Sequence, residues 1–193
     1  MSSRRRLTAL VVLLAAVLAF AIIVAGGGGT PHSAKLSQAA IAATLAGSPV
    51  VLAALHAQAN QLLPGGPRAF AARLRQLRGH PIVVNKWASW CGPCQTEFPA
   101  YQRASVAYGK EVAFIGIDGK DTDASATSFL RRFPVSYPSY VDPHEAIART
   151  IQAAIYYPLT VYIDSAGTEV DDHAGPYETA SALEQDIRRY LLR

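Results

Sequence analysis

The sequence predicts an α/β domain built on a central mixed sheet with helices on both faces. Strand-like apolar runs alternate with helix-like periodicities along most of the chain, the pattern of a sheet covered on both sides. The clearest pair is Ile82, Val83 and Val84, a buried strand, followed by Phe98, Tyr101, Ser105 and Tyr108 at spacings of three, four and three, which is helical. The chain's two cysteines, Cys91 and Cys94, lie where that strand ends and that helix begins. At 193 residues there is room for one domain with a full core and an appendage.

The appendage comes first. Residues 7–25 are 19 in a row without a charge, and as a helix they would span about 28 Å, close to the hydrocarbon thickness of a bilayer. Arg4, Arg5 and Arg6 precede them, which orients the N-terminus to the cytoplasm and everything after Gly26 to the outside. A cleaved signal peptide shares the charged start and apolar middle. This stretch is long for one and ends without a small-x-small pattern, so residues 1–25 are expected to be an uncleaved single-pass anchor in the cell membrane. Ser3-Arg4-Arg5 also weakly resembles a twin-arginine export signal, and each reading exports the domain. Residues 26–32, with four glycines, form a flexible linker. Residues 33–66 read as an N-terminal helical extension, two Ala-rich helices parted by Gly47-Ser48-Pro49, which could cover a sheet edge, bind a partner or lie near the membrane. With the arginine triplet set aside, 15 basic residues face 14 acidic ones, a balance that offers nothing to nucleic acid.

The domain proper, expected to be a monomer, runs over residues 67–193. Residues 68–78 form an amphipathic helix with Phe70, Leu74 and Leu77 on one face, ended by Gly79 and Pro81. Residues 112–117 are a second buried strand. Asp118, Asp121 and Asp123 after it read as a solvated loop and helix cap, because they lack the glycine and closing glutamate of a calcium loop. A helix with Phe129, Leu130 and Phe133 inward stops at Pro134; residues 137–143 read as a turn-rich crossover and residues 146–154 as a short helix. Residues 164–167 turn a hairpin into residues 168–172, and residues 180–192 close the chain as a helix with Leu183, Ile187, Tyr190 and Leu191 inward.

The chemistry sits at Cys91. A helix N-terminus offers unpaired N–H groups and the positive end of its dipole, which stabilise a thiolate, so Cys91 is the expected nucleophile and the more exposed sulfur. Pro93 suits the first helical turn, where its missing N–H had no acceptor. Cys94 lies one turn further in and can close a short disulfide with Cys91. Half of a structural zinc site is the other use of C-x-x-C, but zinc needs four ligands, and the chain has no third cysteine and no histidine pair at the required spacing. Both cysteines are used in the motif, leaving none to brace the fold. No metal or cofactor is expected beyond the redox-active Cys91–Cys94 pair.

Trp90-Cys91-Gly92-Pro93-Cys94 matches the thioredoxin motif, and the longer string from Val84 through Asn85, Trp87, Ala88, Ser89 and the motif to Glu97, Phe98 and Pro99 resembles the TlpA-like branch of thioredoxin-like proteins, which includes cytochrome c maturation thioredoxins. The resemblance implies a thioredoxin-like fold and thiol-disulfide oxidoreductase activity on extracytoplasmic proteins carrying disulfides or thiols, apocytochrome c among them. It also implies electrons from a membrane thiol-disulfide relay. Tyr156-Tyr157-Pro158-Leu159-Thr160 through Asp164 and Gly167 is similar to a second family segment, by which Pro158 is a cis-proline facing the cysteines. Tyr157 would then pair its backbone with an extended client, and Trp90, Gly92 and Pro93 would complete the client-binding surface. A trans proline opening a strand is the plainer reading of Pro158.

Two residues depart from or refine the family pattern. Asn85 stands where cytoplasmic thioredoxins have a buried acid, as it does in the TlpA-like branch. Glu97, three residues beyond Cys94 on the same side of the helix, is the nearest acid in sequence and the expected proton acceptor for Cys94; a solvated surface glutamate is the plainer alternative. Lys86 replaces an aromatic in a strand expected to be covered on both faces, so its charge needs a partner or a way out to water. Two other functions use a reactive thiol. A thiol peroxidase of the peroxiredoxin type wants a threonine or serine shortly before a lone cysteine, and a copper chaperone of this fold spaces its cysteines by three and adds a distal histidine.

Overall fold

The computed structural model describes residues 37–192; the expected membrane anchor, the linker and the first residues of the extension lie outside them. Among the described residues no helix is long and apolar enough to cross a membrane. A six-stranded sheet runs in the order β1 (Leu62–Leu63), β4 (Ser139–Asp142), β3 (Ala113–Gly119), β2 (Ile82–Trp87), β5 (Leu159–Ile163) and β6 (Glu169–Ala174). β1, β4, β3 and β2 pair in parallel, and β5 and β6 are antiparallel, so the sheet is mixed.

β2 is buried at all six positions, as a strand covered on both faces must be. Its alternate side chains divide between two layers. Val83 and Trp87 join the cluster formed with α4 (Gly92–Tyr108), α5 (Asp123–Arg132) and α6 (Ala180–Tyr190), where Phe98, Tyr101, Phe129, Leu183 and Ile187 meet. Ile82 and Val84 join the opposite cluster, with Leu52 and Leu55 of α2 (Val50–His56) and Phe70 of α3 (Gly66–Gln76). The alternation leaves Asn85 to the first layer and Lys86 to the second. Both are buried polar residues.

Four local expectations are corrected. The turn-rich crossover holds a strand, β4, because Pro138 and Pro143 bracket the ladder and do not interrupt it; Pro138 still lends its carbonyl to the Gly116 N–H at 2.9 Å. The extension holds helix α1 (Gln38–Leu45) and α2 but ends in β1, whose two residues pair with Ser139 and Tyr140 and are too short to give a periodicity. Asp118 is inside β3, only 2% exposed, because β3 runs on to pair with β4 at Val141 and Asp142. The helix expected over residues 146–154 is a 3₁₀ turn, Ala148–Ile151, stopped by Gln152 in the left-handed region at φ 49° and headed by the Asp142 carboxylate, which accepts from the Ile147 and Ala148 N–H groups.

Candidate active site

Cys91 caps α4. Its backbone is extended (φ −83°, ψ 106°) and its sulfur accepts the Cys94 N–H at 3.1 Å, so one of the orphan donors of the first turn points at the sulfur that sequence reasoning makes the nucleophile. Cys91 and Cys94 are joined in a disulfide, Cα–Cα 5.3 Å. Gly92 and Pro93 are exposed, and Trp90 is 56% exposed. In this disulfide form Cys91, 4% exposed, is the more accessible of the two and Cys94 is wholly buried; Sγ of Cys91 turns in to its partner and to the Cys94 N–H.

The Tyr157–Pro158 peptide is cis, and Pro158 is buried at the head of β5. The Tyr157 ring lies 4.8 Å from the Trp90 ring, centroid to centroid, which joins the segment before the proline to the residue before Cys91. Trp90 Nε1 donates to the Lys120 carbonyl at 2.9 Å, and the Ser89 N–H donates to Asp121 Oδ2 at 2.6 Å. The end of β3 and the loop after it therefore hold the turn that carries the cysteines.

Glu97 is fully buried beneath the motif, on the buried face of α4 with Cys94, Phe98 and Tyr101. Asn85 Nδ2 donates to its Oε1 at 2.7 Å, and the Tyr177 N–H reaches Oε2 at 3.4 Å. Burial pushes its carboxyl up to about 8, against the smaller opposing effect of those two donors. The solvated glutamate is therefore excluded. Asn85 suits either protonation state of Glu97, since its amide can present a donor to the carboxylate or, turned over, an acceptor to the acid; its own Oδ1 has no hydrogen-bond partner.

On the other layer Lys86 finds the partner its burial requires. Its Nζ lies 2.8 Å from Glu145 Oε1 and 2.6 Å from the Ala153 carbonyl, and 3.8 Å from the centre of the Tyr157 ring. Burial lowers the Lys86 pKa, with Glu145 opposing the effect. Burial alone would raise Glu145, but hydrogen bonds from Lys120, Lys86 and Tyr157 outweigh it and hold the carboxyl at about 2. A third buried acid, Asp118, stands opposite Trp87 across the β2–β3 pair; burial, then the neighbouring Asp121, raise it to about 8. Among the described residues no group of three or more His, Cys, Asp or Glu side chains converges as a metal site would.

The structure thus brings Trp90, Cys91, Gly92, Pro93, Cys94, Glu97, Tyr157 and Pro158 to one end of the sheet. Sequence reasoning missed Asn85 as the partner of Glu97, and it missed Glu145, Lys120 and Asp121. The only signal for Glu145 was that Lys86 had to be paired.

Residues 69–169, just over half of the chain, match the model of the AhpC/TSA family, and they span β2, the cysteine turn, α4 and the Tyr157–Pro158 step. The chain belongs to the AhpC/TSA family. It is similar to the thiol-disulfide oxidoreductase ResA of Bacillus thuringiensis subsp. konkukian, 26% identical over 117 residues that make up 60% of this chain and 66% of that protein. It is also similar to the thiol:disulfide interchange protein DsbE of Pseudomonas fluorescens biotype C, 31% identical over 99 residues, 51% of this chain and 54% of that one. The chain spans just under two thirds of the length of the first of these relatives. Among solved structures, a protein assigned as a DsbE from Chlorobium tepidum aligns with a TM-score of 0.53 at 27% identity, over 60% of this chain and 83% of that one. The fold of this AhpC/TSA member is thioredoxin-like, and the TlpA-like resemblance of its motif agrees with the ResA likeness.

Proposed function

We propose that this chain is an exported, membrane-tethered thiol-disulfide oxidoreductase that exchanges disulfides with extracytoplasmic client proteins through Cys91 and Cys94. One observation carries the reading: Cys91 of the C-x-x-C pair caps α4 and is joined through Trp90 to the cis-proline edge, with a buried carboxyl, pushed up to about 8 by its burial, one turn beyond Cys94 on the same helix. In the reducing direction the Cys91 thiolate attacks a client disulfide; a Cys91–client disulfide forms and one client thiolate leaves. Cys94, its proton taken by Glu97, then attacks Cys91 Sγ, forming the Cys91–Cys94 disulfide and releasing the second client thiolate. Two electrons pass from the protein to the client. In reverse, a client dithiol is oxidised and Glu97 returns the proton to the departing Cys94.

Tyr157 and Pro158, with Trp90, Gly92 and Pro93, form the surface on which the client backbone lies. The anchor is supported by the arginine triplet and the uncharged residues 7–25. Apocytochrome c belongs among the clients, and a membrane relay supplies electrons, by the resemblance to cytochrome c maturation thioredoxins. Turnover of a disulfide peptide by catalytic amounts of protein with dithiothreitol tests the reading. The rate should exceed that with dithiothreitol alone and vanish in Cys91→Ala; peroxide consumption or copper retention without peptide turnover would replace it with one of the two other thiol functions.

A further inference from the structure

We infer that Glu145, held between Lys86 and Lys120, is a positioning residue that pins residues 153–157 beside Trp90 in the arrangement that receives a client chain. The inference rests on the disulfide-exchange reading. An ion pair between Lys86, 0% exposed, and Glu145, 6% exposed, gives up hydration on both partners, and an apolar pair of similar volume serves stability as well or better. What the pair supplies is geometry.

Each partner holds one end of the same short segment. Lys86 Nζ donates to the Ala153 carbonyl at 2.6 Å, and Glu145 Oε1 accepts from the Tyr157 hydroxyl at 2.8 Å. Between these two points stand Ile155, 79% exposed, and Tyr156, 56% exposed, two of the few large apolar residues left to solvent among the described residues. The other carboxylate oxygen, Oε2, is 2.8 Å from Lys120 Nζ, and the Lys120 carbonyl accepts the Trp90 indole N–H. With the Trp90–Tyr157 ring contact the connections close on themselves: Trp90 to Tyr157, Tyr157 to Glu145, Glu145 to Lys120, Lys120 back to Trp90. Gly119 leaves room for this arrangement, since a Cβ there would collide with the Tyr157 hydroxyl oxygen. The cysteine turn, the cis-proline edge and the end of β3 thus share one buried carboxylate, which touches neither sulfur in the exchange chemistry but fixes where the client-facing residues stand.

A split between client binding and thiol chemistry tests this. Kinetics with a disulfide peptide carrying apolar residues beside its cysteines would be compared with the second-order rate for oxidised glutathione, in wild type, Glu145→Gln and the double substitution Lys86→Met with Glu145→Leu. The double variant leaves no unpaired buried ion and keeps the test valid if Glu145→Gln does not fold. Loss of one or two net hydrogen bonds predicts a KM for the peptide raised by about five- to tenfold, with kcat within about twofold and the glutathione rate unchanged. Tyr157→Phe, which deletes only the hydroxyl, should raise the peptide KM similarly. Peptide and glutathione rates falling together, or neither moving, would overturn the positioning role. Wild-type protein inert toward both substrates would instead remove the exchange reading beneath it.

Discussion

Replacing Glu97 by Gln should do two opposite things, slow the resolving step and stabilise the oxidised protein at alkaline pH. With a carboxyl that titrates at about 8, only about one molecule in ten holds an ionised Glu97 at pH 7. A general base worth about 100-fold when ionised is then worth about tenfold, and its contribution should grow with pH until it levels above about 8. Stability runs the other way. The unfolded carboxyl ionises near 4.5 while the buried one keeps its proton, so stability falls as pH rises from about 4.5 to about 8 and changes no further above that. At about 1.4 kcal/mol per pH unit the loss has an upper limit of about 5 kcal/mol, which Glu97→Gln would recover, less about 1 kcal/mol for disturbing the contacts of Asn85 and Tyr177. An aromatic disulfide that releases one coloured thiolate on attack and a second on resolution separates the two steps. Denaturant unfolding of the oxidised form at pH 5 and pH 8 gives the stability. A second release unchanged in rate and pH profile would leave Glu97 a buried structural acid, and a variant less stable than wild type at pH 8 would refute the burial argument itself.

Asp118→Asn should also stabilise the oxidised protein between about pH 4 and 8, the window over which the buried acid keeps a proton that the unfolded chain has lost; equal unfolding curves at pH 8 would count against it. Glu145→Met should cost more stability than Lys86→Met, because Lys86 would be left buried without its carboxylate, keeping the Ala153 carbonyl and the face of the Tyr157 ring, whereas Glu145 keeps Lys120 and Tyr157; about 3–5 kcal/mol is expected for the former, and the reverse order by chemical denaturation would contradict the pairing. Gly92-Pro93 between the cysteines resembles the reducing thioredoxins, so equilibration with glutathione should give a potential nearer to about −270 mV than to about −120 mV, and a value at or above about −180 mV would make the protein an oxidant.

The site was legible where chemistry is local. The β-branched run of β2, the helix that starts at Cys91 and the proline at the head of β5 each announce themselves within a few residues. Glu97 was legible as a nearby acid but not as a buried one, because its burial depends on Asn85 from β2 and on Tyr177, 80 positions on. Lys86 stated a need that its neighbours could not answer; its partner is 59 residues away in a turn with no pattern of its own. Asp118 reads as loop because the end of β3 is decided by pairing with β4, and β4 is hidden between two prolines that look like turn signals. What the sequence conceals here is pairing across distance.

On the proposed reading Cys91 meets the client and Cys94 resolves. Reduced Cys94→Ala and Cys91→Ala proteins, each incubated with a disulfide peptide and analysed as intact mass, test it directly. A stable one-to-one mixed disulfide on Cys91 is expected in the first protein and almost none on the second over the same time; accumulation on Cys94 in the Cys91→Ala protein at an equal or greater rate would reverse the two roles.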